Sequence, residues 1–290
     1  MSLKYREDYW DAIELRSSFI KFLRDIHNLD LSRWNELGYW DYKYRPFSYF
    51  DNERLVSNVC LYSMDMMIRG QRKQVAQISA VGTLPEFRGR GLSSDLTERA
   101  MGWAAGECDF FFLFADEKAA SFYQKRGFLP AQEYKSSYPI EGAQPLKGAR
   151  KLNPLQLDDR NLIYRIACRR QPVSEILGVF NVKLFMFHCL YFLKDNIFYI
   201  DELDALILYK RNNNHLIIFD VAGENIPRFS DFYRFISDNA DQTVEFMFIE
   251  DRMGMPKAGR IKIAEENGAH VSGNFPLNNI DIVFPYTGRA

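Results

Sequence analysis

Hydrophobic positions change their period several times along the chain, and each change marks an element. From Asp8 to Asp25, Ala12, Leu15, Phe19, Phe22 and Leu23 recur at helical spacing, which predicts an amphipathic helix. A segment dense in aromatics follows, from Trp34 to Phe50. Strand patterns overlap its end and continue: Arg45 to Phe50, a turn at Asp51-Asn52-Glu53, Leu55 to Ile68, a polar turn at Gly70 to Lys73, then Gln74 to Val81. After a loop, a helix opens at Gly91 with Leu92, Leu96, Ala100 and Trp103 on one side, ending near Gly106. Asp109 to Phe114 is apolar almost throughout, which suits a strand buried on both faces. Asp116 to Arg126 predicts a short helix, with Gly127 placed to end it.

Antiparallel strands followed by strand–helix–strand–helix predict a mixed α/β sheet. Pro139, Gly142, Pro145, Gly148 and Pro154 then cluster, placing a boundary near 140–155 and dividing the chain into lobes at 1–150 and 151–290. The second half again shows strands, at Ile197 to Ile200, Ala205 to Tyr209 and Leu216 to Val221, with a turn at Lys210 to Asn214. A helix at Asp231 to Ile236 and a strand at Val244 to Ile249 follow. This order echoes the first half and suggests a diverged internal repeat, on pattern alone.

Composition narrows the function classes. With 37 Lys+Arg against 38 Asp+Glu the formal net charge is -1, so no global positive field draws the chain to nucleic acid or an anionic membrane. The most apolar stretch, Ile176 to Leu193, is interrupted by Asn181, Lys183 and His188, which argues against a membrane span. The N-terminus is polar and does not read as a signal peptide. Cys60, Cys108, Cys168 and Cys189 form no CxxC pair and read as free thiols of a reducing, cytoplasmic compartment. His27, His188, His215 and His270 lack ligand spacing, so no metal site is expected. Aromatic residues reach 15%, and the two segments Trp34–Phe50 and Phe180–Phe198 are the places to look for a substrate pocket and a contact between lobes.

One stretch carries the chemistry: Val81-Gly82-Thr83-Leu84-Pro85-Glu86-Phe87-Arg88-Gly89-Arg90-Gly91-Leu92-Ser93-Ser94. A strand ends near Thr83, two glycines bare the loop, and a helix begins. Backbone N–H groups at a helix N-terminus point outward with partial positive charge behind them, which makes an anion site. Arg88 and Arg90 add charge, and Ser93 and Ser94 add hydroxyl donors, so a pyrophosphate is the natural ligand. Neither a Walker A loop nor a dinucleotide fingerprint is present. A basic loop that merely caps a helix is the plainer reading of this segment alone. Downstream, Ala119 and Tyr123 stand four apart on one helical face, where a phenol can donate a proton to a leaving thiolate.

Together these segments resemble the GNAT acetyltransferase superfamily. Arg88-Gly89-Arg90-Gly91-Leu92-Ser93 is similar to its acetyl-CoA loop, Gln/Arg-x-x-Gly-x-Gly/Ala, and Asp116 to Phe128 to its Asn-x-x-Ala-x-x-Phe-Tyr-x-x-x-Gly-Phe segment. The resemblance covers about residues 1–150. Ser93 replaces the last Gly/Ala, and Asp116 replaces Asn. It implies a GNAT fold that binds acetyl-CoA along Val81, Gly82 and Thr83, the loop from Arg88 to Ser94, and Asp116. Tyr123 would act as general acid, and backbone N–H near Val81 would polarise the thioester. The acceptor would be a primary amine of a small molecule or peptide, bordered by the Trp34–Phe50 segment, with Trp40 and Tyr42 as candidates.

The strand before the loop holds no carboxylate, so the general base stays open among a water, a carboxylate near Trp40-Asp41-Tyr42, and the Ala290 carboxylate. The last comes from a narrower resemblance to two-lobed Eis-type acetyltransferases, which pair an active lobe with a GNAT-like lobe lacking the CoA loop. Two other readings stay open: a CoA-binding sensor or scaffold without turnover, and transfer of a different acyl group.

Overall fold

The computed structural model describes residues 3–256, 260–262, 268–278 and 280–290. In chain order the first half runs β1 (Lys4–Glu7), α1 (Ile13–His27), α2 (Ser32–Glu36), β2 (Tyr44–Asp51), β3 (Arg54–Ile68), β4 (Gln71–Thr83), α3 (Leu92–Ala104), β5 (Phe110–Ala115), α4 (Glu117–Gln124), β6 (Phe128–Ala131) and β7 (Tyr134–Pro139). The second runs β8 (Ala149–Lys151), α5 (Leu157–Arg169), β9 (Leu177–Phe180), α6 (Val182–Tyr191), β10 (Ile197–Ile200), β11 (Ala205–Asn212), β12 (His215–Ala222), α7 (Phe229–Ile236), β13 (Thr243–Phe246), β14 (Arg260–Lys262) and β15 (Gly268–Ser272).

Two mixed sheets result. One has the order β1-β2-β3-β4-β5-β15-β6, with β9 also pairing β3; the other has the order β8-β10-β11-β12-β13-β7-β14. Each begins with four antiparallel strands, and each has one parallel junction, β4 with β5 or β12 with β13. A helix follows the fourth strand in both, α3 after β4 and α7 after β12. The repeat suggested by the sequence is therefore a repeat of topology.

The halves also exchange strands. β15 enters the first sheet between β5 and β6, and β7 enters the second between β13 and β14, all four pairings antiparallel. The apolar run Phe110–Phe114 explains why a strand is needed there. An unpaired apolar edge invites aggregation; with β4 on one side and β15 on the other, Phe112 and Leu113 are buried. We keep 1–150 and 151–290 as the proposed limits of the lobes; the second lends β9 and β15 to the first sheet, the first lends β7 to the second, and β8 spans the boundary.

The lobes share a core. Phe112 stacks on Phe284 with ring centroids 5.0 Å apart. Trp34 donates its indole N–H to the Lys183 carbonyl at 3.1 Å and its backbone N–H to the Tyr191 hydroxyl oxygen at 3.0 Å, joining α2 to α6. The apolar stretch 176–193 forms β9 and α6, and no helix among the described residues is long and apolar enough to cross a membrane.

Candidate active site

The loop between β4 and α3 is built as a cradle. Gly89 and Gly91 sit at φ +73° and +74°, the left-handed region where a side chain is strained. A Cβ on either would meet nothing within 4 Å, so the space over the backbone is open. Gly91 caps α3, whose first-turn amides face that space. Arg88 donates through Nε to the Thr83 carbonyl at 3.0 Å, and Arg90 donates to the Glu86 carbonyl at 3.0 Å and packs over Phe87. These bonds shape the loop and leave both guanidinium groups largely exposed. Thr83 Oγ1 lies 2.7 Å from Ser93 Oγ and 2.8 Å from Ser57 Oγ, tying the strand end to the helix start.

A groove of about 490 Å³ runs over this loop, lined by Ile26, Val81 to Thr83, Phe87 to Ser94, and by Ala119, Phe122 and Tyr123 of α4. Tyr123 is buried, and burial pushes its phenol up to about 12. Arg126 stacks on Phe122 and donates to Ser94, which places a third guanidinium behind two residues of the groove wall. Asp116 does not line the groove: its Oδ1 accepts the Ala119 N–H at 2.8 Å and caps α4. Its charge is spent on the helix N-terminus, the use a short carboxylate at that position has.

Beside the groove, β4 breaks step. The pairing with β3 slips between Asn58 and Cys60, opposite Ser79 to Gly82, and Ala80 takes φ +49°. The buried Asn58 holds this bulge: its Nδ2 donates to the Ala80 carbonyl at 2.9 Å, and its Oδ1 accepts from Ser48 Oγ at 2.7 Å. Ser48 Oγ in turn lies 2.6 Å from the Tyr9 hydroxyl. A bulge re-aims backbone groups out of the ladder.

On the far side of the bulge lies a chamber of about 170 Å³, walled by Leu23, Leu31, Trp34, Leu184 and Phe187 among others, with His27, Ser79 and Ala80 toward the groove. The two cavities meet along β4: Val81 to Thr83 face the groove and Ser79 and Ala80 the chamber. The last turn of α1 forms the shared wall, Ile26 on one side and His27 on the other. Its packing is close, since a Cβ at Gly82 would lie 2.9 Å from Ile26 Cγ2 and 3.5 Å from His27 Nε2. His27 keeps access to solvent at the chamber mouth, and desolvation lowers its pKa from the usual histidine value.

The chain's last residues reach the same chamber. Ala290 donates its N–H to Gln77 Oε1 and accepts from Gln77 Nε2, both at 2.9 Å. Upstream, the Arg289 carbonyl takes His188 Nε2 at 2.7 Å, the Arg289 guanidinium pairs with Glu133 at 3.0 Å, and Thr287 donates to Asp220.

The residues expected along acetyl-CoA from Val81 to Thr83 and from Arg88 to Ser94 thus share one groove with Tyr123. Trp40 and Tyr42 lie elsewhere. Trp40 is buried against Phe19 and Tyr44, its indole N–H donated to the Tyr44 carbonyl, and Tyr42 is exposed beside a separate pocket of about 530 Å³ near Trp103 and Cys108. Asp41 is paired to Lys183 at 2.8 Å and lines neither cavity. Instead, Trp34 and Tyr44 from the first aromatic segment and Phe187 from the second line the chamber. His27 and Ser79 escaped notice because nothing in a linear pattern ties a helix C-terminus to a bulge.

The comparisons bear on the same residues. A family model described as an acetyltransferase (GNAT) domain matches residues 37–131, the stretch that holds the bulge, the loop and α4. No curated protein matches. Among solved structures, a probable N-acyltransferase of unknown function from Enterococcus faecalis is 15% identical, with 93% of this chain and 72% of that one covered and a TM-score of 0.61. Eis1 from Mycobacterium abscessus is 14% identical over 93% of this chain and 73% of its own, TM-score 0.55. A putative acetyltransferase from Pyrococcus horikoshii is 11% identical over 99% and 95%, TM-score 0.52. At these identities the likeness is one of fold, and it extends across both lobes.

Proposed function

We propose that this chain, whose residues 37–131 match a GNAT acetyltransferase domain within a two-lobed fold, transfers acetyl from acetyl-CoA to a primary amine in one direct step. The observation that carries the proposal is the junction at the β4 bulge, where a phosphate-binding groove holding Tyr123 meets a chamber edged by His27. The amides of residues 88–94 and the guanidinium groups of Arg88, Arg90 and Arg126 receive the pyrophosphate and phosphate charge. The pantetheine arm follows Val81 to Thr83, which brings the thioester to the bulge.

The amine enters from the chamber. Its nitrogen lone pair attacks the carbonyl carbon, the oxyanion is received by backbone N–H at the bulge, and the C–S bond breaks. Tyr123, kept in its acid form by burial, gives its proton to the departing thiolate. His27, kept neutral by desolvation, takes the proton shed by the amine. We take the reaction to occur in the cytoplasm, where four unpaired cysteines stay reduced.

The test is CoA release with a broad amine panel, alongside calorimetric titration with acetyl-CoA. Turnover that falls about 100-fold in Tyr123→Phe with unchanged acetyl-CoA affinity supports the reading. Tight acetyl-CoA binding with no turnover against any amine would sink it and favour a CoA-binding sensor.

A further inference from the structure

Ser93 and Ser94 sit in the first turn of α3 and line the groove, where a hydroxyl could meet a phosphate. A serine hydroxyl carries one hydrogen, however, and the protein uses both of these internally. Ser94 Oγ accepts from Arg126 and lies 3.3 Å from Glu98 Oε1, a carboxylate oxygen that only accepts, so the Ser94 hydrogen goes there.

Ser93 begins a longer chain. Its Oγ lies 2.7 Å from Thr83 Oγ1, which lies 2.8 Å from Ser57 Oγ, which lies 3.2 Å from the Gly82 carbonyl oxygen. The carbonyl only accepts, so it takes the Ser57 hydrogen. Ser57 then accepts from Thr83, and Thr83 accepts from Ser93. The chain has one direction, and the Ser93 hydrogen is spent at its start. Thr97, fully buried, holds the same residue a second way, donating to the Ser93 carbonyl at 2.7 Å.

The place of this chain in the fold gives it a use. Ser57 and Thr83 face each other across β3 and β4, and Thr83 is the last residue of β4. The bond from Ser93 to Thr83 therefore closes the base of the loop 84–92 that forms the cradle. Ser57 is fully buried and is not part of the groove wall, so it touches no ligand there.

We propose that Ser57, Thr83 and Ser93 act as a hydroxyl staple that positions the cradle against β4, the Ser93 hydroxyl serving the fold and not the phosphate. This rests on reading the groove as the acetyl-CoA site. A cofactor that runs along β4 and ends with its pyrophosphate at the start of α3 spans the staple. Its affinity depends on how those two elements are set against each other before it arrives. Backbone amides and guanidinium groups carry the phosphate charge, and the staple fixes where the amides stand. The serine thus has a use of its own at the loop position where the similar motif has Gly or Ala.

The experiment is calorimetric titration of the full chain with acetyl-CoA, well below the unfolding temperature of each variant. Ser57→Ala and Ser93→Ala should each weaken binding about three- to tenfold, the loss of one hydrogen bond. The double variant should bind within about twofold of the weaker single one, because either change breaks the same chain. Thr83→Ser keeps the hydroxyl and should bind about five times more tightly than Thr83→Val, which loses it. Wild-type affinity in a folded Ser57→Ala protein, with Ser93→Ala weakened, makes Ser93 a direct phosphate contact and overturns the staple. Losses that multiply in the double variant, or equal affinities of Thr83→Ser and Thr83→Val, overturn it as well. If Ser57→Ala does not fold, the Thr83 pair decides alone. Absence of acetyl-CoA binding by the wild-type chain overturns the transferase reading, and the staple's role falls with it.

Discussion

Replacing Asn58 by alanine removes the clamp on the β4 bulge and separates the shaping of the thioester site from cofactor binding. Asn58 is fully buried and bonds Ala80 at 2.9 Å and Ser48 at 2.7 Å. Ser48 keeps the Tyr9 hydroxyl at 2.6 Å, so the group left short of a partner is the Ala80 carbonyl. Depriving a buried acceptor of its partner costs about 1–3 kcal/mol. Ala80 meanwhile sits at φ +49°, and release from that left-handed conformation returns about 1–2 kcal/mol. The two nearly cancel, so the bulge relaxes and the protein as a whole stays folded. The expected net loss of stability is about 1 kcal/mol or less, a fall in Tm of a few degrees at most. Catalysis suffers more, because losing one oxyanion donor lowers kcat by roughly 100-fold or more. Acetyl-CoA affinity should change by less than about threefold, since the loop is anchored separately through Thr83 and Ser93. Thermal unfolding, calorimetry and steady-state CoA release measure the three quantities. Ala80→Gly is the control: glycine adopts the same φ without strain, and kcat should hold. An Asn58→Ala protein that loses stability yet keeps its kcat would refute the role given to the bulge.

Other predictions follow from single residues. Gly91→Ala meets open space but at φ +74°, so strain of about 1–2 kcal/mol falls on the cradle alone. Acetyl-CoA Kd should rise about tenfold and Tm fall by a few degrees, measured by calorimetry. His27 must be neutral to accept a proton, so kcat/KM should fall as pH drops through its lowered pKa. His27→Gln should abolish that limb of the pH–rate profile, and an identical limb would exclude His27. His188 is buried with its pKa lowered to about 4 by desolvation, and its Nδ1 has no partner among the described residues. The unfolded chain takes up this proton near pH 6.5 and the folded one only near 4. Stability from this group is therefore complete above about pH 6.5 and is lost, by about 3 kcal/mol, as pH falls to 4. Urea unfolding at stepped pH reads that slope, and His188→Gln should flatten it.

The periodic elements were legible in the sequence because each carries its own local signal. α1, α3 and α4, the β2–β3–β4 meander and β10–β11–β12 lie within a few residues of their expected places. The cradle was legible too, since two glycines between a strand and a helix dictate it without reference to the rest of the fold. What stayed hidden depends on distant partners. β15 pairs β5 across more than 150 residues, and Gly-Ala-His-Val-Ser gives no strand signal that outweighs its neighbours. α5 was missed because its apolar face is narrow and charge fills the rest. The resemblance names Trp40 and Tyr42 only through the segment they share, and residue type does not separate a core tryptophan from one lining a cavity. The left-handed Ala80 leaves no trace in residue type, because the usual mark of that conformation is glycine.

The second lobe keeps the sheet of the first and has lost its cradle. Between β12 and α7, where the first lobe has its glycine loop, the chain reads Gly223-Glu224-Asn225-Ile226-Pro227-Arg228, with one glycine, an acidic side chain and a helix of only eight residues. A phosphate finds no bared backbone there and meets a carboxylate. Yet the same lobe supplies Leu184 and Phe187 to the chamber, lends β15 to the catalytic sheet, and carries the tail that ends at Gln77. It thus supplies part of the chamber wall and no cofactor loop. The reciprocal exchange of β7 and β15 makes that wall permanent, because separating the lobes would bare β5 and β13 at once. Acceptor choice should therefore track substitutions on α6, and cofactor affinity substitutions in the β4–α3 loop, with little coupling between the two sets.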